Sequence, residues 1–382
     1  MTPLLWSVNL FILSAMICPA MVFIAAAKRS EIALAAVVGV ILGNVFRIPA
    51  DLFPVQVMIW LSWWSIGGLV ITTVGIYCTR TGRSSRMRLM KNMALGPVAA
   101  LIGNILVVIS TGLRPFTLDR YLYAADSSFG FQLGFAADAL LLRHQWLNLV
   151  SGLAYVNLPV LIMTVYLLVA RRNPADANRF VRLLTAVGLA GYCLYYFFPA
   201  AGSEVVFGSS FPFHPPDIAS LKLEPLRVEP APRNFMPSLH TAWCLVIFWS
   251  ARRLTRFWRA TVGVILGFTL LATLACHYFV DMVAAVPFTL AVYALAENRL
   301  PWNHPARRLA FCAGALCFGT WLIVLRFGTA LLLVSPVISW TACALTGALC
   351  WLCLYREPSV GGSISGAKEE NLSLAFRPSL QH

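Results

Sequence analysis

The stretch ATVGVILGFTLLATLAC at residues 260–276 carries no charged residue, and it is followed at once by HYFVDM at residues 277–282. About 17 to 25 apolar residues in helical conformation cross the hydrocarbon core of a bilayer. The stretch therefore predicts a membrane-spanning helix with a histidine and an aspartate just beyond its end. Similar apolar runs occur at residues 4–27, 32–50, 55–78, 93–111, 146–170, 183–201, 237–251, 278–296, 309–325 and 337–355.

Together these runs predict an all-α fold, a polytopic transmembrane helical bundle of about eleven helices. The composition agrees, because 59% of the residues are hydrophobic and 12% are charged, against about 25% charged residues in soluble domains. The net charge of +14 raises the question of nucleic acid as a partner. The basic residues fall in short clusters between apolar runs, which is typical of membrane topology and excludes a nucleic-acid surface.

The orientation follows from these basic clusters, because loops on the cytoplasmic side of a membrane carry the excess of lysine and arginine. If the helices alternate in direction, five successive clusters fall on one side. We therefore expect an integral protein of the cell (inner) membrane with its site on the outward, extracytoplasmic face. The clusters are Lys28 and Arg29; Arg80, Arg83, Arg86, Arg88 and Lys91; Arg171, Arg172, Arg179 and Arg182; Arg252, Arg253, Arg256 and Arg259; and Arg299, Arg307 and Arg308.

The same pattern predicts four parts of the chain. Residues 1–92 form N-terminal transmembrane helices, residues 93–300 a catalytic core, and residues 301–356 C-terminal transmembrane helices. Residues 357–382 are rich in glycine, serine and charge and are expected to be a disordered cytoplasmic tail. Between the apolar runs, residues 112–145 are expected to lie in the membrane interface, and the proline-rich residues 202–236 to form a semi-rigid cap.

Ionisable residues within membrane spans are functional candidates, and three stand out here. His240 lies near the start of one run, whereas His277 and Asp281 lie at the start of another, which places all three at the same outward depth. His277 and Asp281 are four residues apart and so share one helix face. A carboxylate in that position can orient an imidazole and make its other nitrogen a better nucleophile.

An anion site is predicted beside these residues. Pro237 suits the first position of a helix, and the unpaired N–H groups of that turn, around Ser238, favour binding of a phosphate. Arg233 lies just outside the helix, where a guanidinium can bind two phosphate oxygens at once. His240 is then one turn further in and can donate a proton to a leaving oxygen.

PSLH at Pro237–His240 and the spacing of His277 and Asp281 resemble the second and third signatures of the type 2 phosphatidic acid phosphatase superfamily. Leucine in place of the usual glycine of PSGH is similar to the branch that contains the fungal and kinetoplastid inositol phosphorylceramide synthases. The run GYCLYYFFPAAG at residues 191–202 also looks like that branch. The resemblance covers about residues 114–287 and implies a six-helix core of the superfamily's type.

The resemblance implies that His277 attacks phosphorus to give a phosphohistidine, that Asp281 orients it and that His240 is the general acid. The first signature is reduced to Arg114 and Pro115, since Val107 stands where a lysine belongs. Residues 270 and 271, usually Ser-Arg in the third signature, are both leucine. Phosphate binding is therefore expected from Arg233, Arg114, Ser238 and backbone amides.

The expected function is a metal-independent lipid phosphotransferase, inositolphosphotransferase-like, that acts on a lipid phosphate or phospholipid without a cofactor. The alternative is a lipid or polyprenyl phosphate phosphatase, since only the acceptor differs. A metal enzyme that uses His240, His277 and Asp281 as ligands would leave Pro237 and Ser238 unexplained. A transporter or scramblase would need charges along a path across the bilayer, whereas the key charges lie at one depth.

Overall fold

The computed structural model describes residues 19–45, 56–78, 83–228 and 231–355. Helices dominate these residues, and strands β1 (Phe116–Thr117) and β2 (Leu226–Arg227) form a single short antiparallel pair among them. The predicted all-α polytopic fold is confirmed. The predicted disordered tail, residues 357–382, lies outside the described residues.

The helices follow one another with short connections. They are α1 (19–26), α2 (Arg29–Val45), α3 (Gln56–Cys78), α4 (Arg83–Leu113), α5 (Asp119–Ser127), α6 (Leu133–Arg143), α7 (Gln145–Val156), α8 (Leu158–Ala170), α9 (Pro174–Phe197), α10 (Ser203–Phe207), α11 (Leu239–Ala251), α12 (Arg256–Cys276), α13 (Phe279–Ala296), α14 (Pro305–Phe327), α15 (Thr329–Leu332) and α16 (Pro336–Tyr355). Short 3₁₀ turns occur at Gly208–Ser210 and Ile218–Ser220.

Within the described residues, five helices are long and apolar enough to cross a membrane, or six if the pair α7 and α8 forms one span. The sequence predicts residues 146–170 as one continuous span, but the chain breaks at Asn157. Pro159 in the first turn of α8 accounts for the break, since a proline removes a helical N–H and its ring clashes with the preceding turn. The total of about eleven spans stays a prediction, because parts of the early runs lie outside the described residues.

One compact unit contains, among the described residues, those up to Ile102 together with Val156–Asn178. Here α2 packs along α3 at short range. A Cβ on Gly67 would lie 1.9 Å from the carbonyl oxygen of Ala35, so only glycine allows this approach. An ion pair of 3.0 Å between Arg86 and Glu31 joins α4 to α2.

The other unit contains Gly103–Tyr155 and the chain from Arg179 to the end of α16. Its most buried span is α13, of which 72% of the apolar stretch is buried, against 22–33% for the other spans. Helices α5, α11, α14 and α16 all pack against α13. This central helix carries Asp281.

Helix α5, within residues 112–145, is folded into the interior of this unit, and the place of these residues relative to the membrane interface stays a prediction. Its buried residues are Asp119, Tyr121, Leu122, Tyr123, Ala124, Ala125 and Asp126. The proline-rich segment lies against it, since the hydroxyl of Tyr121 donates to the carbonyl of Leu223 at 2.8 Å and that of Tyr123 to Pro216 at 2.6 Å. Strand β2 of that segment pairs with β1 just before α5.

Candidate active site

The junction between α12 and α13 holds two of the predicted residues. Helix α12 ends at Cys276, His277 is extended with φ −105° and ψ 165°, and α13 begins at Phe279. Nδ1 of His277 lies 3.5 Å from Oδ2 of Asp281, and the two side chains are 4% and 0% exposed. The spacing of four residues therefore brings imidazole and carboxylate together although only Asp281 is inside the helix.

These buried polar atoms lack the partners that such atoms normally have. Among the described residues, Nδ1 of His277 and both carboxylate oxygens of Asp281 form no hydrogen bond. The separation of 3.5 Å between Nδ1 of His277 and Oδ2 of Asp281 is longer than an ordinary hydrogen bond. Unsatisfied buried groups are rare in native proteins and call for an explanation. An active site in which the hydrogen bond between His277 and Asp281 tightens when substrate binds would explain these unsatisfied atoms.

His240 lies close to this pair. Its ring centroid is 6.3 Å from that of His277, and its ring stacks on Tyr155 with centroids 4.0 Å apart and planes inclined by 15°. Phe235 contacts the other side of the site, with its ring centroid 4.5 Å from that of His277. Two imidazoles at this separation can contact one tetrahedral group, because each reaches about 3 Å through a hydrogen bond.

The start of α11 differs in detail from the sequence interpretation. Ser238 is the N-cap, so Leu239 opens the helix and Pro237 precedes the cap instead of taking the first helical position. The hydroxyl oxygen of Ser238 accepts hydrogen bonds from the N–H and the hydroxyl of Thr241, at 3.3 and 3.1 Å. Its own N–H donates to the carbonyl of Asp281 at 3.4 Å. Ser238 thus joins α11 to α13, and its contact with phosphate stays a prediction.

Arg233 is buried, with 1% of its surface exposed. Its guanidinium donates to three backbone carbonyls, those of Arg114 at 3.2 Å, Ala231 at 2.9 Å and Val228 at 3.1 Å. These bonds fix the chain ahead of α11 and engage three of its five N–H groups. The side chain of Arg114 lies elsewhere, over the Tyr196 ring at 4.1 Å. The roles of both arginines in phosphate binding stay predictions.

The sequence interpretation missed two buried carboxylates of α5. Asp119 accepts hydrogen bonds from the N–H groups of Ala201 and Gly202, at 3.0 and 2.8 Å, and from the hydroxyl of Tyr278 at 3.1 Å. Asp126 accepts from the N–H groups of Phe279 and Val280, at 2.7 and 2.9 Å. Burial raises the pKa of Asp126 to about 7. Their spacing of seven residues, two helical turns, is the signal that could have revealed them.

A metal site formed by His240, His277 and Asp281 is the alternative to a phosphate site. Within the part of the chain that the structure describes, no group of three or more His, Cys, Asp and Glu side chains is placed to hold a metal ion.

Comparison with known proteins gives one match. Residues 120–295 match the family model of the PAP2 superfamily. The matched segment contains His240, His277, Asp281, Arg233 and Ser238 and leaves out Arg114. No curated protein and no solved structure matches the chain. The match supports the superfamily that the two signatures resemble, and the inositol phosphorylceramide synthase branch stays a prediction.

Proposed function

We propose that this protein is a membrane-embedded enzyme that transfers a phosphoryl group, or a phospho-alcohol headgroup, from a lipid through a phosphohistidine at His277. The match to the PAP2 superfamily suggests lipid phosphatase or phosphotransferase activity. One observation carries the proposal further. The rings of His240 and His277 lie 6.3 Å apart, and the carboxylate of Asp281 lies 3.5 Å from Nδ1 of His277.

In the first step, Nε2 of His277 attacks phosphorus, because Nδ1 faces Asp281. A nitrogen–phosphorus bond forms and the bond from phosphorus to the lipid oxygen breaks. His240 donates the proton that the leaving oxygen takes up. The carboxylate of Asp281 accepts a hydrogen bond from the Nδ1–H group of His277 and stabilises the positive charge that develops on the ring.

In the second step, an acceptor hydroxyl attacks the phosphohistidine. His240 takes the acceptor's proton, an oxygen–phosphorus bond forms, and the bond to Nε2 of His277 breaks, which returns both histidines to their starting state. Water as acceptor makes the protein a phosphatase, whereas a lipid alcohol makes it a transferase. The leucine of PSLH and the run at residues 191–202 favour the transferase, of the inositolphosphotransferase type.

The surroundings suit such chemistry. Tyr155 stacks on His240 and Phe235 lies against His277, so each histidine has an aromatic ring on one side. Apolar walls exclude water and strengthen the electrostatic interactions of the reacting groups. We propose that the reaction needs no metal or cofactor and takes place on the outward side of the cell membrane. A transporter or scramblase, the non-enzyme alternative, would not require the two histidines and Asp281 to meet at one point.

A substrate panel tests this function. Purified protein is incubated with phosphatidic acid, polyprenyl phosphates and inositol phospholipids, each with and without a ceramide or diacylglycerol acceptor, and mass spectrometry identifies the products. The proposal expects a lipid that carries the transferred headgroup, resistant to exhaustive chelation. Release of inorganic phosphate alone would establish the phosphatase instead. Absence of both products from every lipid, with folded protein, would contradict an enzymatic role.

A further inference from the structure

The start of α13 has no local side chain that caps its first turn. Its N-cap, Tyr278, forms no side-chain hydrogen bond to the first turn. The first N–H groups of a helix have no acceptor within the helix. Here the acceptor is Asp126 on α5, 153 residues earlier in the chain, which binds the N–H groups of Phe279 and Val280 with one carboxylate oxygen each. A negative charge at this position is also favoured by the helix dipole.

A second carboxylate of α5 holds the residue next to His277. The hydroxyl of Tyr278 donates to Oδ1 of Asp119, which also accepts from the N–H of Gly202. Gly202 has φ +91°, and a Cβ there would lie 2.2 Å from the ring of Phe235. The Phe235 ring also contacts the imidazole of His277. Asp119 therefore affects the position of His277 in two ways, through Tyr278 and through Gly202 with Phe235.

Helix α5 is itself fixed from the far side. The hydroxyls of Ser128 and Ser339 lie 2.6 Å apart, and the indole of Trp340 donates to the carbonyl of Phe129 at 3.2 Å. Both contacts come from α16, which lies beyond the segment that matches the superfamily. The C-terminal helices therefore brace the helix on which the two carboxylates lie.

We propose that Asp126 is a positioning residue that sets the place of His277 and Asp281, with Asp119 in a supporting role. This inference rests on the proposed function. Both oxygens of Asp126 bind backbone N–H groups two and three residues after His277, so any displacement of this carboxylate shifts the start of α13. Burying a carboxylate without a cation is energetically costly. Here the Asp126 carboxylate accepts hydrogen bonds from the first N–H groups of α13, which in other helices a local capping side chain accepts at lower cost.

The first test uses hydrogen exchange and does not depend on activity. Asp126→Asn keeps one acceptor oxygen and turns an N–H₂ group toward the second backbone N–H. We expect the amides of residues 279–282 to exchange about tenfold faster than in the wild type, because one of the two hydrogen bonds to this side chain is lost. Unchanged exchange there would overturn the proposal. Asp217→Asn is the matched control, since Asp217 also accepts a backbone N–H at the start of a helical turn, 3.1 Å from Ala219, but on the exposed surface.

The second test separates positioning from folding. With turnover expressed per folded, monodisperse molecule, Asp126→Asn should lower kcat about 10- to 100-fold and leave KM within twofold, since small displacements of reacting groups have effects of this size. Asp217→Asn should leave both constants unchanged. A purely structural role would lower the yield of folded protein and leave kcat per folded molecule as in the wild type, which would overturn the proposal.

If Asp126→Asn does not fold, Asp126→Glu decides, because it keeps both carboxylate oxygens and displaces them by one methylene from the N–H groups of Phe279 and Val280. A lower kcat at constant KM supports the positioning role, and an unchanged kcat contradicts it. Failure of the proposed function is distinguishable, since it would appear as a wild type without turnover, whereas the exchange of residues 279–282 still reports whether Asp126 holds the segment.

Discussion

The two ends of α13 hold buried carboxylates in opposite settings. At the end next to Glu297, that side chain is 2% exposed and pairs with Arg179, which also donates to the hydroxyl of Tyr293. At the end next to His277, Asp126 and Asp281 are buried, and within the described residues no lysine or arginine pairs with either. A buried carboxylate that pairs with an arginine is typical of a structural ion pair. Buried carboxylates without a cationic partner are typical of functional sites.

The pKa values of the carboxyl groups at the two ends differ in the same way. Burial alone would raise the pKa of Glu297, but hydrogen bonds from the N–H of Arg299 and from the Arg179 cation lower the pKa below its ordinary value. Burial raises the pKa of Asp126 to about 7, although the N–H groups of Phe279 and Val280 oppose the rise. Backbone N–H groups thus hold a carboxylate in place without the charge compensation that an arginine gives.

Loss of Asp281 should have the largest effect at the His277 end. Asp281→Asn should fold normally but lower turnover on the order of 10⁴-fold, as loss of the orienting carboxylate does in a comparable triad. Single-turnover phosphorylation of the enzyme checks this. As a metal ligand, the same residue would respond differently, because added zinc or manganese would then partly restore activity. Such a rescue would contradict the assignment.

The next effect concerns His240. His240→Ala should lower turnover by about 10²- to 10⁴-fold for substrates with poor leaving groups, which need a proton from the acid. Aryl phosphates with good leaving groups should react at nearly the wild-type rate in the first step. Rates measured across a series of leaving-group pKa values check the difference, and an equal loss along the whole series would refute the role of acid.

At the Glu297 end we expect an effect on stability and none on chemistry. Glu297→Gln removes the anion beside Arg179 and should destabilise the fold by up to about 3 kcal/mol. Thermal unfolding in detergent measures this, and kcat per folded molecule should stay within twofold of the wild type. Glu31→Gln is the matched control, because the pair of Glu31 with Arg86 is partly exposed and worth about 1 kcal/mol or less. A large loss of kcat in Glu297→Gln would break the contrast between the two ends.

The smallest effect is a pH dependence of stability. Because the pKa of Asp126 is raised in the folded state, that state retains the proton while the unfolded chain loses it, so stability should fall as pH rises from about 4 to about 7. Burial also raises the pKa of Asp119, which adds to the effect. Asp126→Asn should flatten this slope of melting temperature against pH. If Asp126→Asn left the slope unchanged or made its fall with pH steeper, Asp126 would be ionised well below neutrality.

Much of the fold around the site could be predicted from apolar runs. The span predicted at residues 260–276 is α12 (Arg256–Cys276), and that at 278–296 is α13 (Phe279–Ala296). Helix α5 could not be predicted in this way, because DRYLYAADS contains two carboxylates and no long apolar run. Its two carboxylates accept hydrogen bonds from N–H groups of residues distant in sequence, and the spacing of Asp119 and Asp126 alone does not identify those partners.

The candidate site was predictable in part for the same reason. Helix direction and spacing place His240, His277 and Asp281 at one depth, and in the structure the two imidazoles do lie near each other. The surroundings of Arg233 depend on how the proline-rich segment folds back, so the sequence could not show that its guanidinium binds three backbone carbonyls. Charge and position alone do not tell a structural arginine from one that binds phosphate.

The most direct measurement is the identification of the phosphorylated residue. The wild type is mixed with a labelled lipid phosphate, quenched under alkaline conditions that preserve phosphohistidine, digested, and examined by mass spectrometry. We predict a phosphoryl group on His277, formed within one turnover, absent from His277→Ala and still formed after chelation of divalent metals. Turnover without a phosphorylated histidine, or with the label on another residue, would contradict the account.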